Sequence, residues 1–403
     1  MSVILTTVPK MLFDVLFAVA MLILFWDVIG LLNRWYDLEK HGFAISPGMI
    51  MWRTKRGLNF IDRVAGISKR GWRAYGTLAA GVGIFAMVFI LAMLVFNFIF
   101  LLTRPLIRLP GVVLVYPGLI PWLPFVPWII SIASVLLVHE FSHGLMLRAQ
   151  NLQTKSVGGL VVVVLFGAFV EPNEKQLMRA PISKRLRMFA AGSMGNFVLG
   201  LVCLVLLFIL LVPKPGVYVY AVSENYAENF TLGSRIYQLD NVPINTRDNY
   251  YDFLDNKQPG ENVWVVTENE NVRVTLVKDS ENENKGDLPL LPISAASRWN
   301  FVNPIYTVAV TAAEILGQPI FHPYIHNSLV PWVVIDIVKW MFILNLGVGL
   351  FNMLPAVPLD GGYMMQAVLE RRTSSEKAKR MVRVLSYFIL VLILMNMFPA
   401  FLR

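Results

Sequence analysis

His139, Glu140 and His143 stand in the order His-Glu-x-x-His, at the end of an apolar run that begins near Pro127. On a helix the two histidines, four residues apart, project from one face and can share a tetrahedral metal. Glu140 is close enough to the first ligand to hold a metal-bound water and take its proton. Zinc lowers the pKa of such a water to about 7, which makes a nucleophile at neutral pH. The same three residues could form a satisfied polar cluster between helices. Ionisable groups inside membrane-like sequence are costly, however, and that weighs toward a functional site. A third ligand must then come from elsewhere in the chain.

The setting is apolar. The 403 residues are 56% hydrophobic and only 15% charged, well below the charged content of about 25% in soluble domains. This composition predicts an integral membrane protein in contact with the lipid bilayer. The net charge of +9 reads as loop charge that holds topology. No basic stripe interleaved with aromatics points to nucleic acid. The single cysteine, Cys203, leaves no disulfide within one chain.

Apolar runs predict an α-helical polytopic protein of about six transmembrane helices, over 11–32, 75–102, 127–148, 188–212, 330–353 and 384–402. The segments 34–73, 171–187 and 370–383 are basic. By the positive-inside rule they are cytoplasmic, which puts both termini outside. Ser156–Val170 is apolar, rich in β-branched residues and too short to cross. It reads as a re-entrant hairpin or strand pair beside the metal motif, buried or lining a wet cavity because an open edge in lipid is forbidden. A free edge there could capture a substrate backbone as an added strand. Residues 213–295 are polar and strand-like, with alternation in Asn262–Thr267 and Asn271–Lys278 and a short helix near Asp248–Asp255, so they form a small α+β domain on the outer face. The expected division is 1–126, an N-terminal membrane pair with its basic loop; 127–212, a catalytic membrane core; 213–295, the extracytoplasmic domain; and 296–403, a C-terminal membrane region. Asn300–Gln318 reads as amphipathic or interfacial. His322 and His326 are also four apart, but Pro323 breaks the helix that would align them.

The topology brings Asp360 to the same cytoplasmic-side depth as the histidine pair. Asp360 follows Pro355 and Pro358 and precedes Gly361-Gly362. A plain N-cap is one reading of it. As the third ligand it completes a His/His/Asp set with an open position for water, the pattern of a catalytic zinc. Ala191-Gly192-Ser193-Met194-Gly195-Asn196 is small and polar for a membrane helix, which lets another helix approach, and Asn196 would need a partner.

These motifs resemble the site-2 protease family of intramembrane zinc metalloproteases, peptidase family M50. His139–His143 matches its His-Glu-x-x-His. Asn352–Gly362 matches its Asn-x-x-Pro-x-x-x-Leu-Asp-Gly-Gly pattern. Ala191–Asn196 matches its Ala-Gly-x-x-x-Asn helix, with Ser193 where many members have proline. The resemblance covers roughly 127–369, and the loop with WRTKRG looks archaeal. It implies a prokaryotic plasma membrane, Zn²⁺ on His139, His143 and Asp360, Glu140 as general base, and Asn196 and Asn352 positioning substrate or oxyanion. The outer domain resembles the PDZ domain that members carry between the motifs, with Gly233-Ser234-Arg235-Ile236 where Gly-Asp-x-Ile is usual. The implied activity is endoproteolysis of single-span membrane proteins near the cytoplasmic end of the span. Two rivals remain at this stage: a non-catalytic scaffold that binds peptides through the outer domain, and a metal transporter, which would favour polar residues strung across several spans. Physiological substrate and oligomeric state are not legible.

Overall fold

The computed structural model describes residues 23–46, 48–55, 57–103, 112–117, 123–162, 165–279, 282–294 and 325–401. The chain separates into two compact units. The first comprises Met1–Val113, Ser131–Gly200 and Leu344–Arg403; the second comprises Leu114–Ile130 and Leu201–Ile343. The helices are α1 (helical over the described residues 23–36), α2 (Leu58–Ile67), α3 (Lys69–Thr103), α4 (Phe125–Ala149), α5 (Glu174–Arg179), α6 (Ile182–Leu210), α7 (Arg247–Leu254), α8 (Trp332–Asn352), α9 (Asp360–Leu369) and α10 (Ser375–Phe401). Among the described residues five of them, α3, α4, α6, α8 and α10, are long and apolar enough to cross a membrane. Most of the first expected span, 11–32, and all of Asn300–Gln318 lie outside the described residues.

In the first unit, α3 shows how the helices approach. Its buried positions are Gly76, Ala79, Gly83, Ala86, Met87 and Leu94, spaced three and four apart on one face. A Cβ at Gly76 would stand 2.7 Å from the Met146 side chain, and one at Gly83 would crowd Met353, Met364 and Ala190. Small residues let backbones close up where lipid supplies no hydrophobic drive. The cluster they join holds Met146, Leu147, Met188, Ala191, Met353 and Met364, from the helices that carry the polar motifs. Near its end α4 stops cleanly. Asn151 takes a φ of 58°, and the Leu152 N–H returns to Leu147 O at 2.9 Å, a left-handed helix stop.

The first unit also holds a four-stranded antiparallel sheet, in the order β1 (Phe43–Ser46), β2 (Met49–Thr54), β3 (Thr154–Val162) and β4 (Leu165–Pro172). The stretch 156–170 is thus a strand pair, and it is not alone. The basic segment 34–73, read only as cytoplasmic, contributes the hairpin β1–β2, and Trp52 pairs with Gly159 across more than a hundred residues. Among the described residues β4 is left as an open edge.

The second unit contains β5 (Leu211–Pro213), β6 (Val217–Val222), β7 (Arg235–Leu239), β8 (Val242–Pro243), β9 (Asn262–Thr267), β10 (Asn271–Thr275), β11 (Val277–Lys278), β12 (Gly286–Asp287), β13 (Leu290–Ile293) and β14 (His326–Ser328). Its main sheet runs β10-β9-β7-β6-β13, with β8 paired to β7. The α7 helix opens with a capping box in which Thr246 and Asn249 satisfy each other's backbone N–H groups. The core beneath is Val217, Val219, Ile236, Leu239, Ile244, Tyr250, Leu254, Val263 and Val265, each at most 1% exposed.

Candidate metal centre

The helix α4 delivers His139 and His143 on one face, as their spacing requires. Asp360 is the first residue of α9, after Leu359 at the cap position. Its carboxylate is therefore not the cap. It turns to the imidazoles, with Oδ2 3.1 Å from His139 Nε2 and 3.1 Å from His143 Nε2, and the two Nε2 atoms are themselves 3.1 Å apart. Three bonds of about 2.0–2.1 Å to a tetrahedral zinc would set donor separations of about 3.3 Å, so this near-equilateral triangle fits such an ion. Both histidines are buried, at 9% and 8% exposure. The Gly361-Gly362 pair is needed where it stands: a Cβ at Gly361 would lie 2.2 Å from Met353 O, and one at Gly362 2.5 Å from the Ala356–Val357 backbone.

The helix α6 orients both imidazoles from behind. His143 Nδ1 donates to Met188 O at 2.8 Å, which leaves Nε2 free to bind metal. The Asn196 amide meets His139 Nδ1 at 3.2 Å. With His139 Nε2 turned to the ligand triangle, Nδ1 carries the proton and needs an acceptor. A half-turn of the Asn196 amide supplies its Oδ1, a buried atom otherwise without a partner. Asn196 is fully buried, meets the His139 imidazole and is not among the residues that line the cavity described next. This approach needs glycine. A Cβ at Gly192 would stand 2.4 Å from His143 Nε2 and 2.6 Å from His139 Nε2, and one at Gly195 2.2 Å from Ser142 Oγ. Gly192, Gly195 and Asn196 share one face of α6, three and four residues apart. The small-residue signal was visible in the sequence; what it packs against was not.

A cavity of about 420 Å³ opens in front of the triangle, lined among others by His139, Glu140, His143, Phe169, Val170, Asn352 and Asp360. Asn352, at the end of α8, thus lies on the cavity wall. Glu140 accepts a hydrogen bond from the Val170 N–H at 2.8 Å. That amide points away from β3 toward the open edge of β4. Glu140 is therefore held by the strand that borders the cavity. An ion pair missed in the sequence ties the frame together: Arg185, near the start of α6, bonds Glu370 at the end of α9, and Glu370 also accepts from Gln366 at 2.8 Å and Ser375 at 2.9 Å. Arg185 is 3% exposed, so removing one partner would strand a buried charge. As for the second histidine pair, His326 is buried in β14, and His322 lies outside the described residues.

The profile of peptidase family M50 matches residues 127–395. The chain belongs to this family. Over 351 residues the M50 chain is 24% identical to the uncharacterized protein MJ0971 of Methanocaldococcus jannaschii, covering 86% of this chain and 84% of the relative. A 42-residue stretch is 50% identical to the zinc metalloprotease Rip3 of Mycobacterium tuberculosis, 10% of this chain and 11% of that one. Among solved structures, the PDZ domain of the SdrC-like protein Lmo2051 from Listeria monocytogenes aligns with 20% of this chain and 92% of its own, at 19% identity and a TM-score of 0.18. This M50 peptidase is a zinc metalloprotease of the site-2 type and an integral membrane protein. Family membership implies zinc and membrane-protein substrates. The cluster His139–His143–Asp360 is the group of three able to hold a metal among the described residues.

Proposed function

We propose that His139, His143 and Asp360 hold the zinc, that Glu140 is the catalytic base, and that the enzyme cuts single-span membrane proteins near the cytoplasmic end of the span. The observation that carries this is the buried donor triangle, with sides of 3.1 Å, on the same cavity wall as Glu140. When bound, zinc supplies a Lewis acid and lowers the pKa of water. Glu140 takes the proton of the attacking water and delivers it to the leaving amine. Asn196 and Met188 O keep the two imidazoles in the ligating tautomer. Asn352 positions the substrate chain. A helical substrate must unwind first, since its amides are otherwise shielded. The open edge of β4 holds the extended segment as an added strand.

The basic segments support a topology with the site toward the cytoplasm, the 213–295 domain outside, six spans and both termini outside, in a prokaryotic plasma membrane. The outer domain, PDZ-like in its resemblance, acts as a filter on substrate size. The reading is tested by co-expressing a panel of tagged single-span proteins with the wild type and with Glu140→Gln. The expected outcome is a fragment that needs Glu140 and vanishes with chelator, a loss of roughly 10²-fold or more. Equal cleavage by both proteins would sink the base assignment.

A further inference from the structure

A second cavity, of about 500 Å³ and almost wholly apolar, also has Glu140 in its wall. It is bounded by one face of the four-stranded sheet, by α2 and by α4. Cross-strand register defines that face: Trp52 pairs with Gly159, Gly159 with Ala168, and Val157 with Val170, so these residues all point the same way. Interiors of this kind are normally close-packed, with few voids larger than a water molecule. Here the floor is missing because the two adjacent strands carry Gly159 and Ala168 side by side. Glycine is not forced at that position. A Cβ at Gly159 would meet only Gly167 O at 3.7 Å, whereas one at its neighbour Gly158 would stand 1.9 Å from Trp52 O. Gly158 is a packing glycine; Gly159 leaves space open.

The space shares four wall residues with the metal cavity. Leu136, Glu140, Phe169 and Val170 line both. A chain added to the edge of β4 continues the two faces of the sheet, so every second side chain of that chain points to the Ala168–Val170 face. We propose that this groove is the side-chain subsite of the enzyme, which takes a bulky apolar residue of the substrate next to the scissile bond, and that Gly159 and Ala168 set its depth. Phe60, 59% exposed and packed on Phe141 with ring centroids 5.7 Å apart, forms the outer lip. The groove thereby selects Phe or Leu over Ala within three residues of the cut, at one position or at two positions of the same parity. This inference rests on the protease reading above.

The test uses the full-length enzyme and one cleaved single-span reporter, with Ala, Leu or Phe placed in turn at each of the three residues on either side of the mapped cut. The wild type is expected to favour Phe or Leu at one parity. Gly159→Leu should lower the Phe-to-Ala cleavage ratio there by at least about 10-fold, the scale of a few methylenes in an apolar pocket. Gly159→Ala should lower it less. Zinc content is measured alongside. If Gly159→Leu loses zinc, Gly159→Ala alone decides, and an unchanged ratio in that variant overturns the subsite. A wild type with no preference at any position also overturns it, as does an equal loss on Phe and Ala reporters, which would mark the groove as part of the fold or as a lipid site. These outcomes leave the protease reading standing. That reading fails separately, if no reporter gives a Glu140-dependent, chelator-sensitive fragment.

Discussion

Along α3, Leu78, Phe85, Val88 and Phe96 are 59–72% exposed, while Gly76, Ala79 and Gly83 are buried. In the sheet domain of the second unit the order is reversed. There Ile236, Leu239, Ile244 and Val263 are fully buried, and Asn, Asp, Glu and Lys cover much of the outside. One region turns many large apolar side chains outward and packs small and polar residues in among buried methionine and leucine; the other does what water demands of a soluble core. The difference places the chemistry. An interior that sets Gly192, Gly195 and Asn196 against the histidines can hold two imidazoles and a carboxylate close together. A core of packed valine and leucine could not take three such groups without a large desolvation cost.

That contrast can be broken from either side. The largest effect is expected from Gly192→Ala. Its methyl group would occupy the space beside both Nε2 atoms, so zinc content and cleavage should fall to background. Gly81→Ala on α3, with nothing within 4 Å, should leave both unchanged. Elemental analysis of the purified proteins reads the two variants directly. Next comes a test of the two kinds of core. Leu239→Ala in the sheet domain should cost about 2–5 kcal/mol, seen as faster digestion by protease in detergent. Leu78→Ala, on the outward face of α3, should stay within about 0.5 kcal/mol. If Leu78→Ala proved as damaging, the outward assignment of that face would be wrong.

Asn196→Ala should weaken zinc binding by about 10- to 100-fold with the fold intact, the usual cost of losing a partner of a ligand histidine. Competition with a chelator of known affinity measures it. A structural role alone would lower stability without changing the relative affinity. The smallest effect is in the sheet domain. Burial pushes the Glu270 carboxyl up, but hydrogen bonds from Thr231, Thr267 and Ser234 outweigh it and hold the group below the ordinary range. A depressed folded value stabilises the domain above the unfolded value of about 4.3, and that contribution is lost as pH falls through the folded one. Glu270→Gln should therefore be slightly less stable than wild type at neutral pH, with the gap closing in acid. A gap independent of pH would remove the carboxylate from the explanation.

Much of this protein was legible in its residues, for reasons that can be named. His139 and His143 had to share a face because a helix turns about 100° per residue. The strands Asn262–Thr267 and Asn271–Thr275 declared themselves by β-branched residues and alternation, because one face of each is wet. The apolar runs long enough to cross a membrane could not be mistaken for anything shorter. Depth along the topology brought Asp360 near the histidines, but a distance of 3.1 Å is a tertiary fact.

What the residues could not disclose was whatever depends on a partner far along the chain. Membrane helices are apolar all round, so nothing in α6 said that Gly192 and Gly195 would meet ligand imidazoles, or that Asn196 would back His139. The hairpin over 43–54 looked like part of a basic loop, because strand pairing with 154–162 is non-local and leaves little local trace. The empty floor at Gly159 is legible only once Ala168 lies beside it and α4 lies across it. Local periodicity and charge determined which elements exist and which residues could react. Packing between distant segments alone decided which of those residues touch, because contact is set by three-dimensional closure and not by spacing along the backbone.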